Sequence, residues 1–184
     1  MTDAGSKRPL TILVTGPESS GKSTLARALA GTTDGYYVPE RARTYLTALD
    51  RPYTAADLPR IWQQQAAAED TARASSAALV FCDTGPFVLA VWAEVKYGVV
   101  PHPIADALRT RWYDLVLLCA PDLPWEPDPL REAPDPNVRA ALFTRYAELL
   151  DEQPAPVAII RGENRLATAL GAVASLRNSR RSYD

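Results

Sequence analysis

Eight consecutive residues constrain this chain most: Gly16-Pro17-Glu18-Ser19-Ser20-Gly21-Lys22-Ser23, a full match to G-x-x-x-x-G-K-[ST]. The match follows an apolar, β-branched run from Leu10 to Val14 and opens a segment of good helix formers, Ser23 to Ala30, stopped by Gly31. Glycines let the backbone curl until successive N–H groups face inward as an anion nest. The helix that follows adds its free N–H groups and the positive end of its dipole. Gly16, Glu18, Ser19, Ser20, Gly21, Lys22, Ser23 and Thr24 are therefore the expected cradle for the phosphates of a nucleoside triphosphate, the loop itself leaving open which one. Lys22 can reach the β- and γ-phosphates, and the Ser23 hydroxyl can ligate Mg²⁺.

Short apolar runs alternate with helical patterns along the rest of the chain. Strands are expected at Tyr36–Val38, Leu79–Cys82, Asp114–Cys119 and Val157–Ile160. Helices are expected over Ala55–Ala78, Phe87–Tyr97, Ile104–Trp112, Val138–Leu150 and Arg165–Leu176, with a polar, frayed end from Arg177 to Asp184. Uninterrupted apolar strands alternating with helices imply an α/β fold with a parallel sheet covered on both faces. Ligands of such sheets bind beyond the carboxyl ends of the strands, which points to Gly16, Glu40, Asp83 and Ala120.

Asp83 ends the apolar run Leu79-Val80-Phe81-Cys82, the usual form of a Walker B acid, and would hold Mg²⁺ directly or through water. Asp-Thr-Gly after a strand is also an everyday turn. Glu40 follows the second strand, where a carboxylate can take or orient the proton of an acceptor hydroxyl. An acid at a helix N-terminus, favoured by the dipole, is the alternative. Whether Glu40 or Asp83 is the base is left open by the sequence. Arg41 or Arg43 can pair with Glu40 or supply positive charge. The stretch from Pro121 to Pro136 is too rich in proline for a helix interior. A lid over about 121–137 would deliver guanidinium groups to the charge that phosphoryl transfer spreads. Arg131 is the first choice for that role and Arg139 the second, a solvated arginine being the alternative for each.

The 184 residues fit one domain, 1–184, with a core over about 10–176. A formal net charge of -2 gives no general affinity for nucleic acid. The two cysteines, Cys82 and Cys119, sit inside apolar runs and read as buried thiols of a reducing compartment. The one histidine, His102, lies between two prolines in an expected loop, so no zinc spacing exists. Met1 to Pro9 is short and polar, unlike a signal peptide, and no stretch of roughly 18 apolar residues offers a membrane span. The expectation is a cytoplasmic protein away from membranes. A homo-oligomer is compatible with the sequence.

The residues from Gly16 to Leu25, the Glu40-x-x-Arg43-x-Tyr45 pattern and Asp83-Thr84 resemble the ribosylnicotinamide kinase domain of the bacterial NadR type. So do Trp112 to Leu118, then Pro124-Trp125 and Asp128-x-Leu130-Arg131, and Trp92 with Lys96-Tyr97-Gly98; the matches span about residues 10 to 170. The resemblance implies a kinase-type P-loop fold with a five-stranded parallel sheet in the order 2-3-1-4-5, in which Cys82 and Cys119 are not neighbours. It also implies ATP-dependent phosphorylation of the ribose 5′-hydroxyl of nicotinamide riboside, giving nicotinamide mononucleotide, with Lys22, Ser23, Asp83 and Arg131 in matching positions. Another nucleoside or small-molecule kinase, or a regulatory P-loop ATPase, are the alternatives. The acceptor would meet Glu40, Arg43 and Asp83, and because a positively charged ring favours carboxylates and aromatic faces, Trp92, Tyr97 and Trp125 are candidates beside it, core packing being the alternative for each aromatic. Trp62 stands behind these, and Glu94 is a further candidate partner charge. The family often has a second carboxylate at the position of Gly85, and some members an aromatic at Pro39; this chain has neither. NadR proteins carry further domains that 184 residues cannot hold, so a stand-alone kinase domain is implied.

Overall fold

A computed structural model describes residues 8–181. Its strands are β1 (Leu10–Thr15), β2 (Tyr36–Val38), β3 (Leu79–Asp83), β4 (Leu115–Cys119) and β5 (Val157–Ile160). They form one parallel sheet in the order β2-β3-β1-β4-β5, as expected. The helices are α1 (Lys22–Thr33), α2 (Arg41–Thr47), α3 (Leu58–Arg73), α4 (Pro86–Tyr97), α5 (His102–Thr110), α6 (Pro136–Asp151) and α7 (Arg165–Arg181).

Alternate strand residues face opposite layers. Ile12, Val14, Phe81 and Leu117 pack against Leu25 and Leu29 of α1 and Ala169 and Val173 of α7. Leu13, Val80, Cys82, Val116 and Leu118 pack against α3, α4 and α6 through Ala72, Phe87, Val91, Tyr146 and Leu150. Both layers are closed to water, so truncating a fully buried side chain such as Phe81 to alanine would cost about 3–5 kcal/mol. Cys82 and Cys119 are free and buried, and burial pushes the Cys119 thiol up to about 11. β1 lies between their strands.

Several elements depart from expectation for local reasons. Helix α1 runs through Gly31 and stops where Asp34 adopts a left-handed φ of 53°. The expected helix over 55–78 is a 3₁₀ turn, Ala55–Asp57, followed by α3. Thr54 and Asp57 cap that turn reciprocally, with the Thr54 N–H donating to Asp57 at 2.8 Å. At the other end the Ser75 hydroxyl donates to the Ala72 carbonyl at 2.7 Å, competing with the helix ladder. Helix α2, seven residues long, is too short to announce itself by periodicity. His102 opens α5 rather than sitting in a loop, because prolines are tolerated in a first helical turn. Residues Arg177–Arg181 are helical rather than frayed. The expectations for Met1–Lys7 and for Ser182–Asp184 lie outside the described residues.

Candidate nucleotide and acceptor site

The sheet order brings the ends of β1, β2, β3 and β4 to one edge, and the loop after β1 lies there. At Gly16, φ is +135° and an added Cβ would stand 2.5 Å from the Cys119 carbonyl oxygen, so only glycine lets the loop lie on β4. Gly21, with φ +74°, precedes α1, where no side chain caps the helix and no acid occupies the first turn. The first N–H groups of α1 therefore remain free for an anion. The Lys22 ammonium and the Ser20 hydroxyl each donate to the Pro17 carbonyl at 2.7 Å, which keeps the loop curled. Arg165 braces it from behind, donating to the Ser20 and Ala120 carbonyls at 3.0 Å and pairing with Asp122.

Glu40 is the residue that precedes α2, and its side chain makes no cap hydrogen bond. Burial, opposed by the charge of Lys22, pushes its carboxyl above the usual range. Asp83 is 1% exposed. The Tyr37 hydroxyl donates to its Oδ2 at 3.0 Å, while Oδ1 is buried without a partner. Burial, with the charge of Asp83 and the same contact, pushes the Tyr37 phenol up to about 12. Thr84, next in the chain, holds a left-handed φ of 68°, a costly conformation for a β-branched residue.

The segment between β4 and α6, expected as a lid, lies against the loop. Glu18, within the phosphate loop, accepts three hydrogen bonds from it. They come from the Trp125 indole at 2.9 Å, the Glu132 N–H at 2.9 Å and the Ala133 N–H at 2.7 Å. Asp128 pairs with Arg43 at 3.0 Å, and Glu132 with Lys96 at 2.6 Å. Arg131 donates to the Glu126 carbonyl at 2.6 Å.

One cleft of about 130 Å³ is lined by Gly16, by the loop from Glu18 to Thr24, and by Glu40, Arg43, Trp92 and Arg131. Four other expected residues are not on its wall. Asp83 is buried at the end of β3, and the Trp125 indole donates to Glu18. Tyr97 packs edge-on against Tyr53, with ring centroids 6.5 Å apart. Arg139 is buried in α6 and donates to the Leu123 carbonyl at 3.2 Å. Glu94 is occupied by Arg145 at 2.9 Å, and Trp62 is buried beneath Arg111. Trp92 and Leu130 also border a second, more apolar hollow of about 170 Å³ with Tyr53, Val91, Val95 and Lys96. Sequence reasoning missed Tyr37, Gln65 and Arg165, which reach the site from elements distant in sequence.

The residues fit a magnesium ion. Mg²⁺ is commonly held by one or two protein oxygens, with phosphates and water completing its shell. The Ser23 hydroxyl and the orphaned Asp83 Oδ1 are such oxygens. No helix among the described residues is long and apolar enough to cross a membrane.

The family described as AAA domain matches residues 11–165. No protein matched in the comparison with curated proteins. Among solved structures, NadR protein in complex with NR aligns with a TM-score of 0.72 at 22% identity, covering 91% of this chain and 49% of that one. NadR in complex with NAD and AMP-PNP aligns at 0.71, also at 22% identity over 91% and 49%. Thymidylate kinase from Ehrlichia chaffeensis aligns at 0.57 and 13% identity, over 92% of this chain and 99% of that one. The chain thus spans about half the length of the NadR chains, and it shares the fold of P-loop kinases.

Proposed function

The chain belongs to the AAA-domain family, and on that premise we propose that it is an ATP-dependent kinase. It transfers the γ-phosphoryl group to the ribose 5′-hydroxyl of nicotinamide riboside, giving nicotinamide mononucleotide. The carrying observation is that Lys22, an uncapped Glu40 and the lid residue Arg131 line the same cleft. In this reading residues 1–184 act as one kinase domain in the cytoplasm.

The loop amides and Lys22 grip the phosphates, and Arg131 meets the charge that develops on the transferred group. Ser23 and Asp83 would hold Mg²⁺, which neutralises phosphate charge when bound. The acceptor oxygen bonds to the γ-phosphorus, the bond to the β–γ bridging oxygen breaks, ADP leaves, and the hydroxyl proton passes to Glu40. Glu40 is the better base because it lines the cleft, whereas Asp83 is engaged by Tyr37. Its raised pKa favours proton uptake. Trp92 offers an aromatic face to a cationic ring at the border of the second hollow.

Another nucleoside kinase is the second reading, supported by one feature of the acceptor side. A Cβ at Gly85 would stand 2.8 Å from Leu13 Cδ1 and 3.0 Å from the Tyr113 hydroxyl, so the second carboxylate of the NadR type would require the Leu13 and Tyr113 side chains to shift. A panel of nucleosides with ATP and Mg²⁺, read by mass detection of the monophosphate, separates the two. Nicotinamide mononucleotide is the expected product; an inert nicotinamide riboside beside another reacting nucleoside would replace the first reading by the second. ATP hydrolysis that ignores every acceptor would mark a regulatory ATPase instead.

A further inference from the structure

Glu40 occupies the position that normally satisfies a helix N-terminus, yet it makes no cap hydrogen bond. A helix start needs acceptors for its free N–H groups. The acceptor for Arg41, the first residue of α2, comes from another helix. Gln65 of α3 is 2% exposed, and its Oε1 accepts the Arg41 N–H at 3.0 Å. The same amide reaches the Asp83 carbonyl at 3.5 Å and Glu69 Oε1 at 3.4 Å through Nε2. Glu69 is in turn fixed by Arg111 at 2.9 Å and by the Tyr113 hydroxyl at 3.1 Å. Register pairs Val38 with Cys82, so Glu40 and Asp83 leave adjacent strands. Gln65 is the side chain that spans their two backbones.

We infer that Gln65 is a positioning residue: it caps α2 in place of Glu40 and ties that helix to the end of β3. The Glu40 carboxylate is thereby released from capping and held toward the cleft at a fixed distance from Asp83. A carboxylate at the head of a helix would otherwise turn back onto the free N–H groups, where the dipole favours it, and be lost to the acceptor hydroxyl. The inference rests on the kinase reading of Glu40, and reacting groups tolerate little displacement, since a shift of 1 Å can cost about 100-fold in rate.

Gln65→Met keeps the shape of the side chain and removes its acceptor and donor. It is expected to lower kcat by about 100-fold while ATP binding by calorimetry is unchanged. Gln65→Glu retains an acceptor for the Arg41 N–H and should recover part of that loss. In a Glu40→Gln background, Gln65→Met should lower kcat no further, because both changes remove one unit. Additive losses would overturn the inference. Amide hydrogen exchange at Arg41 tests the cap without any acceptor. Gln65→Met should accelerate it by about tenfold, in line with the loss of one hydrogen bond, and unchanged exchange would overturn the cap. A native chain inert toward every nucleoside would sink the kinase reading, whereas accelerated exchange would still uphold the cap.

Discussion

Around the same cleft, the floor is held by side chains that water does not reach, whereas the lid is held by side chains that it does. Gln65, Glu69 and Asp83 are 2%, 0% and 1% exposed, and each hydrogen-bonds within a network anchored by Arg111 and Tyr113. The lid pairs are wet: the Arg43–Asp128 side chains are 52% and 19% exposed, the Lys96–Glu132 side chains 36% and 57%. Breaking a buried, connected polar group leaves its partner unsatisfied at full cost. Exposed ion pairs contribute about 0–1 kcal/mol each. The floor therefore fixes geometry, whereas the exposed pairs of the lid add little and its hold on the loop rests on Glu18. That division suits a reaction that needs an exact attack distance and also has to release its product.

The largest effects should come from the phosphate loop and from the floor. Lys22→Ala is expected to lower turnover by about 100- to 1,000-fold, as for loss of a preorganised charge partner; near-normal turnover would remove the phosphate role. Asp83→Asn should move the magnesium titration to higher concentration by about 10- to 100-fold, and an unmoved titration would detach Oδ1 from the metal. The pH profile sharpens the distinction between the two acids. Because burial raises Glu40, kcat should climb with pH through a value above the ordinary carboxylate range, as the base loses its proton. Glu40→Gln should abolish that limb; an intact limb would move the base elsewhere.

Smaller effects belong to the lid. Glu18→Ala removes three hydrogen bonds between loop and lid. Bonds to a charged group are worth about 1.5 kcal/mol or more each, so tryptic cleavage after Arg131 should quicken by at least about tenfold, and an unchanged rate would deny Glu18 that hold. Lys96→Ala should shift thermal stability by no more than about 1 kcal/mol. A larger loss would mean that the lid is as firmly built as the floor.

The same contrast explains what could be read from the chain alone. The strand order followed from a resemblance, but the strands themselves came from uninterrupted apolar runs, and Lys22, Glu40 and Asp83 each follow such a run. Those signals are local. Gln65 acts across 18 residues on Asp83, and Glu18 holds Trp125 across 107, distances over which spacing carries no information. Helix α2 entered the sequence reading only as the alternative role of Glu40, because seven residues carry little periodicity and the cap comes from α3 rather than from its own sequence. Arg139 looked like a second lid arginine, yet its burial beneath Leu123 comes from tertiary packing that a proline-rich loop does not foreshadow.

Calorimetry with a non-hydrolysable ATP analogue tests the central claim most directly. With Mg²⁺ present, the native chain should bind the analogue at one site, and Lys22→Ala should weaken that binding sharply. Absence of binding by the native chain, or equal binding by both, would contradict a phosphate grip built from the loop amides and the Lys22 ammonium.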